Sequence, residues 1–142
     1  MWKGALQVTV YFCLDDRNGL SFNNRRQSRD GAVLEDIRSR VPGELLIDPM
    51  STKLIQEAEI PFCIALPDLE EALPGVHYFA EARQPGDWLR FAEEVVLYRW
   101  NRHYPADRWF DIDLIAMGFL LADTADFPGT SHEKITREVF TR

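Results

Sequence analysis

The sequence predicts an α/β fold, a mixed and mostly parallel sheet with flanking helices and antiparallel strands at its C-terminal end. Three observations predict it. Gln7 to Leu14 is a near-continuous β-branched and aromatic run, the pattern of a strand buried on both faces. Short apolar runs and short helical patterns then alternate along the chain. From Glu94 onward three strand-like runs follow with no helix of useful length between them, as antiparallel strands finishing a sheet would.

The opening strand ends at Asp15-Asp16-Arg17-Asn18-Gly19, a cluster of turn formers. Ser21 to Arg29 reads as polar and irregular. Ser28 or Asp30 then caps a helix whose Leu34, Ile37 and Val41 share one face, and Pro42-Gly43 stops it. Glu44 to Ile47 is a short strand, Asp48-Pro49 a turn, and Ser51 caps a brief helix through Glu57. Phe62 to Leu66 is expected as strand, Pro67 to Leu73 as a helical turn, and Val76 to Ala80 as strand. Asp87 to Ala92 is expected as a short helix with Trp88 and Phe91 facing inward. The closing strands are Val95 to Asn101, Gly118 to Thr124 and Glu133 to Thr141.

With 142 residues, 46% of them hydrophobic, the chain can cover one core, and residues 1–142 are expected to form a single domain. The formal charge of −7 opposes phosphate backbones and anionic lipid, which argues against a nucleic-acid partner. No run approaches the about 20 apolar residues that span a bilayer, and a cytoplasmic location without membrane contact is the expectation. Cys13 and Cys63 sit in apolar runs without metal-ligand spacing and read as buried, reduced thiols. A homodimer is compatible with the sequence.

Candidate sites are few. Asp30 is either a helix N-cap or a partly desolvated carboxylate that serves a ligand, and the two roles are compatible. Asp15 and Asp16 are a metal or acid pair, or ordinary turn chemistry. Arg25, Arg26 and Arg29 suit a phosphate or carboxylate, or else form a solvated loop. YRWNRHYPADRW mixes rings with cations as a single-strand binder does, yet strand alternation separates Tyr98 and Trp100 from Arg99 and Asn101, which favours packing. His77, His103 and His132 have no metal-ligand spacing, and no nucleophile motif is visible, so neither metal nor nucleophilic chemistry is expected.

Four passages resemble the dihydrofolate reductase family across nearly the whole chain. VYFCLDDRNGL is similar to its opening strand and Asp-x-x-x-Gly turn. Asp30 falls within one residue of the family's active-site carboxylate. LLIDPMSTKLI is similar to its strand and Gly-Arg-x-Thr, with Thr52 at the threonine and Pro49 and Met50 at the glycine and arginine. VHYFAEARQPGDWLRFAEEVVLYRWNRHYPADRWFDID, followed by FLLADTADFPG and HEKITREVFTR, resembles the later strands and the closing hairpin.

The resemblance implies a dihydrofolate-reductase-like three-layer sandwich and a small-molecule ligand, pteridine-like or nucleotide-like, between the first strand and first helix. It implies a catalytic Asp30, substrate contacts from Tyr11, Cys13, Arg25, Arg26, Leu34 and Tyr98, and cofactor contacts from Asn18, Gly19, Thr52 and Ala80. Ala80 and Glu81 stand where the family has the glycine pair that admits a pyrophosphate, and a carboxylate there repels phosphate. The segment between Thr52 and Val76 is shortened. The departures imply weak or absent NADPH binding, so no cofactor is expected, and any activity would be reduction of a pteridine by hydride transfer.

Overall fold

The computed structural model of the chain describes residues 8–64, 75–81, 86–90 and 92–142. Ten strands and three helices follow in the order β1 (Val8–Leu14), β2 (Gly19–Phe22), β3 (Arg25–Arg26), α1 (Gly31–Arg40), β4 (Leu45–Ile47), α2 (Thr52–Glu57), β5 (Phe62–Ile64), β6 (His77–Phe79), α3 (Gly86–Leu89), β7 (Ala92–Arg99), β8 (Arg108–Trp109), β9 (Leu120–Phe127) and β10 (Ile135–Thr141). A 3-10 turn, Pro49–Ser51, leads into α2.

Seven strands form one sheet in the order β5-β4-β6-β1-β7-β10-β9. The pairs from β5 to β7 are parallel, and β10 runs antiparallel to both β7 and β9. This is the mixed sheet with an antiparallel C-terminal end that the sequence predicts.

β1 is central because both its faces are apolar. Val8, Val10, Phe12 and Leu14 enter one core with Leu89, Val95, Leu97, Phe110 and Phe119. Tyr11, with Cys13 packed alongside, enters the other with Val33, Leu34 and Ile37 of α1 and Leu54 and Ile55 of α2. The two-residue side-chain period thus sends successive β1 residues to opposite layers. β1 continues into α1 on one face, and β6 continues into α3 on the other. Their C-terminal ends therefore lie at a point where connections leave in opposite directions, a common place for a ligand crevice.

The structure corrects three expectations. Residues 21–29 are not irregular: β2 and β3 pair as a hairpin and β8 adds to form a second, three-stranded sheet. The physical reason is Asn23-Asn24, whose φ values of 51° and 58° supply the two left-handed residues that a two-residue hairpin turn needs. Cys63 is exposed rather than buried, because β5 is the edge strand of the large sheet, and Cys13 is only half-buried. Ser51 makes no cap hydrogen bond to α2. The helical turn expected over 67–73 and the inward packing of Trp88 and Phe91 lie outside the described residues.

Candidate functional site

A cleft opens at the C-terminal ends of β1 and β6. Cys13, Phe79, Ala80, Glu81, Trp100, Leu20, Arg26, Gln27 and Ser28 line one recess of it, and Asp30, Val33, Leu34 and Leu54 extend it toward α1. The two recesses each offer about 10 Å3 to the centre of a water molecule, room for about one water. Burial pushes the Cys13 thiol up, so it is uncharged at neutral pH.

Asp30 is the N-cap of α1, and its carboxylate accepts from the Ala32 N–H at 2.8 Å. It does more than cap. The β9–β10 loop folds over it, and the backbone N–H groups of Thr130, Ser131 and His132 donate to the same carboxylate at 2.9, 2.8 and 3.0 Å. His132 Nδ1 lies 2.9 Å from Asp30 Oδ2, with side-chain exposures of 1% and 0%. The approach is so close that a Cβ on Gly129 would stand 2.7 Å from the carboxylate and 2.5 Å from the His132 carbonyl. Burial alone raises the Asp30 pKa, but these donors outweigh it and hold the carboxyl well below the usual carboxylate range.

Asp15 shows the same logic at the opening turn. Its carboxylate accepts from Arg17 N, Gly19 N, Gln27 Nε2 and Tyr104 N at 2.8, 2.7, 2.9 and 3.3 Å. Burial again opposes, and the hydrogen bonds again leave the pKa lowered. For such carboxylates the folded pKa lies below the unfolded value of about 3.9, so their stabilisation is present above that value and is lost progressively as pH falls from it through the folded pKa. The melting temperature is expected to hold from pH 7 to about 5 and to fall steeply below about 4. Circular dichroism melts across this range check it, and a flat profile below pH 4 would contradict the assignment.

An ion pair lines the other side of the cleft. Arg26 forks onto Glu81, with Nε to Oε2 and Nη2 to Oε1 both at 2.8 Å. Ser51 Oγ donates to the same Glu81 Oε1 at 2.6 Å, and Arg26 Nη2 reaches the Met50 carbonyl at 3.3 Å. The side chains are 27% and 10% exposed, so the fork is largely withdrawn from water.

The other predicted residues scatter. Tyr98 is buried and donates its hydroxyl to Asp36 of α1 at 2.6 Å. Tyr11 is fully buried with its hydroxyl 2.7 Å from His77 Nδ1. The arginine trio separates: Arg26 joins Glu81, Arg29 pairs with exposed Glu57, and Arg25 is exposed on β3. Thr52 donates to the Pro49 carbonyl, which closes its own turn. Asn18 accepts from Arg99, and Gly19 donates to Asp15, so both serve the turn. Ala80 is buried at the cleft and donates its N–H to the Tyr11 carbonyl. Only Asp30, Cys13, Leu34, Arg26 and Ala80 of the predicted set come together at the cleft.

Two groups are assembled by the fold from residues far apart in the chain. His132 stacks on Trp100 at 4.6 Å between centroids, and Ser28 Oγ lies 3.2 Å from its Nε2. Nothing local marks this, because Ser28 and His132 stand 104 residues apart. Asp15, Asp16 and His103 also place possible ligand atoms within 4.8 Å of one another, although Asp15's oxygens already serve backbone donors.

The mixed sheet, its strand order and the cleft define a dihydrofolate-reductase-like fold. Among solved structures, the chain is similar to dihydrofolate reductase from Enterococcus faecalis complexed with NADP(H) and RAB-propyl. The likeness has a TM-score of 0.67 at 8% identity and covers 97% of each chain. No protein-family model matches the sequence, and no curated protein does.

Proposed function

We propose that this chain binds a small planar heterocycle, pteridine-like or nucleotide-like, in the cleft between β1 and α1, and does so without reducing it. The observation that carries this reading is Gln27. Its Nε2 is committed to Asp15 and to the Pro105 carbonyl, while its Oε1 is buried without a donor among the described residues. Gln27 lines the recess beside Phe79 and Trp100. A buried acceptor left unmade costs about 1–3 kcal/mol, which an amino group on a ring seated there would recover. The aromatic neighbours suit its faces.

Two features support binding without reduction. The Arg26–Glu81 fork holds a carboxylate beside Ala80, where the resemblance implies a pyrophosphate. Asp30 is already an acceptor for five close donors and so is poorly placed to supply a proton. The recesses are small, so a ring enters only as the side chains around them yield.

That smallness favours a second reading, a protein-interaction module on the same scaffold, supported by Ile115, Leu120 and Leu121, which are 59%, 67% and 50% exposed. Amide chemical-shift mapping with separate folates, flavins and nucleotides discriminates the two. Ligand binding predicts shifts confined to Gln27, Ser28, Phe79 and the Trp100 indole. Silence from every compound at millimolar concentration would contradict it and favour the interaction module.

A further inference from the structure

We infer that Ser28, His132 and Asp30 form a nucleophilic relay at the cleft, able to cleave a short-chain acyl ester. The inference rests on reading the cleft as a small-molecule site. The geometry follows the roles such a relay requires. Asp30 is an ionised acceptor, so His132 Nδ1 carries the proton and donates across 2.9 Å. That leaves Nε2 as the acceptor, and Ser28 Oγ lies 3.2 Å from it. Both base and carboxylate are buried, and the stacked Trp100 fixes the plane of the imidazole. The nucleophile is different: Ser28 is half-buried and lines both recesses.

The substrate class follows from the lining. Cys13, Leu20, Phe79 and Trp100 offer a narrow apolar wall suited to a short acyl group. Arg26 lines the same recess with its charge paired to Glu81. Ser28 Oγ attacks the ester carbonyl carbon as His132 Nε2 takes the hydroxyl proton. The tetrahedral adduct collapses, the ester C–O bond breaks, and the alcohol leaves with that proton. Water then attacks the acyl-Ser28 ester and gives a proton to Nε2, the acyl C–Oγ bond breaks, the carboxylic acid departs, and Nε2 returns that proton to Ser28 Oγ.

Tyr104 sets the resting state. Its hydroxyl lies 2.8 Å from His132 Nε2, nearer than Ser28, and 3.4 Å from Ser28 Oγ. Nε2 has one lone pair, so the phenol holds the base and the serine is held in reserve. Tyr104→Phe should release the base.

A fluorophosphonate probe on the folded chain, read by intact mass and peptide mapping, tests this. Ser28 alone should label, labelling should vanish in Ser28→Ala and in urea, and Tyr104→Phe should label several-fold faster. Hydrolysis of p-nitrophenyl acetate should fall by on the order of 100-fold or more in Ser28→Ala. Labelling no faster than in the unfolded chain, or at other serines, would overturn the relay. The heterocycle shifts are read separately, so bound ligand with an inert Ser28 sinks the relay alone. A labelled Ser28 without any bound heterocycle sinks only the binding reading.

Discussion

Asp30→Asn is expected to destabilise the protein by about 3–5 kcal/mol, far more than the about 1 kcal/mol of an ordinary helix cap. The reason lies in the convergence of donors. Ala32, Thr130, Ser131 and His132 all aim backbone N–H groups at one buried carboxylate, and His132 Nδ1 adds a fifth. Asparagine keeps one oxygen and turns an NH2 group toward donors, so at least two buried N–H groups lose their acceptor at about 1–3 kcal/mol each. The effect spreads from α1 to the hairpin, because the same carboxylate ties the helix N-terminus to the loop between β9 and β10. For a chain of this length the melting temperature should drop by about 10–15 °C. A thermal melt that shifts by no more than about 4 °C would reduce Asp30 to a cap. The acid limb of the stability profile should also shrink in this variant, since the carboxylate that produces part of it is gone.

The frame of the fold was legible because it is written locally. The apolar run of β1, the turn at Asp15–Gly19, the Asp30 cap and the Pro42-Gly43 stop each need only neighbours in sequence. The hairpin of β2 and β3 has a local signal that the polar character of the segment masks: two consecutive asparagines adopt left-handed φ almost as glycine does. Cys63 was misjudged because an apolar run does not say whether its strand is central or at an edge.

The site was legible only in outline. The position of Asp30 came from its place before a helix, but the loop that saturates it comes from 100 residues further along. Arg26 and Glu81 stand 55 residues apart, and only the pairing of β1 with β6 and the placing of β3 over the cleft bring them together. Charge alone grouped Arg26 with Arg25 and Arg29, whereas in the fold it joins an acid instead. The alternation along β7 gives the face of Tyr98, but not that Asp36 of α1 meets its hydroxyl there. Pairings between elements obey packing and desolvation, which no window of sequence contains.

The proposal that the chain binds no pyrophosphate cofactor rests on Glu81, and its expected effect is the absence of NADPH binding. A pyrophosphate entering beside Ala80 would meet the Glu81 carboxylate, which Arg26 and Ser51 hold in place. Moving that carboxylate aside means breaking a forked, largely desolvated ion pair, and losing one partner of such a pair costs about 3–5 kcal/mol. A cofactor that would otherwise bind at about 1 μM is thereby weakened to about 0.1 mM or beyond, at 1.4 kcal/mol for each tenfold. Calorimetric titration of the folded chain with NADPH is the most direct measurement. No heat of binding up to about 0.1 mM cofactor is the predicted result, whereas saturable binding at micromolar Kd, with NADPH oxidised when dihydrofolate is added, would contradict it.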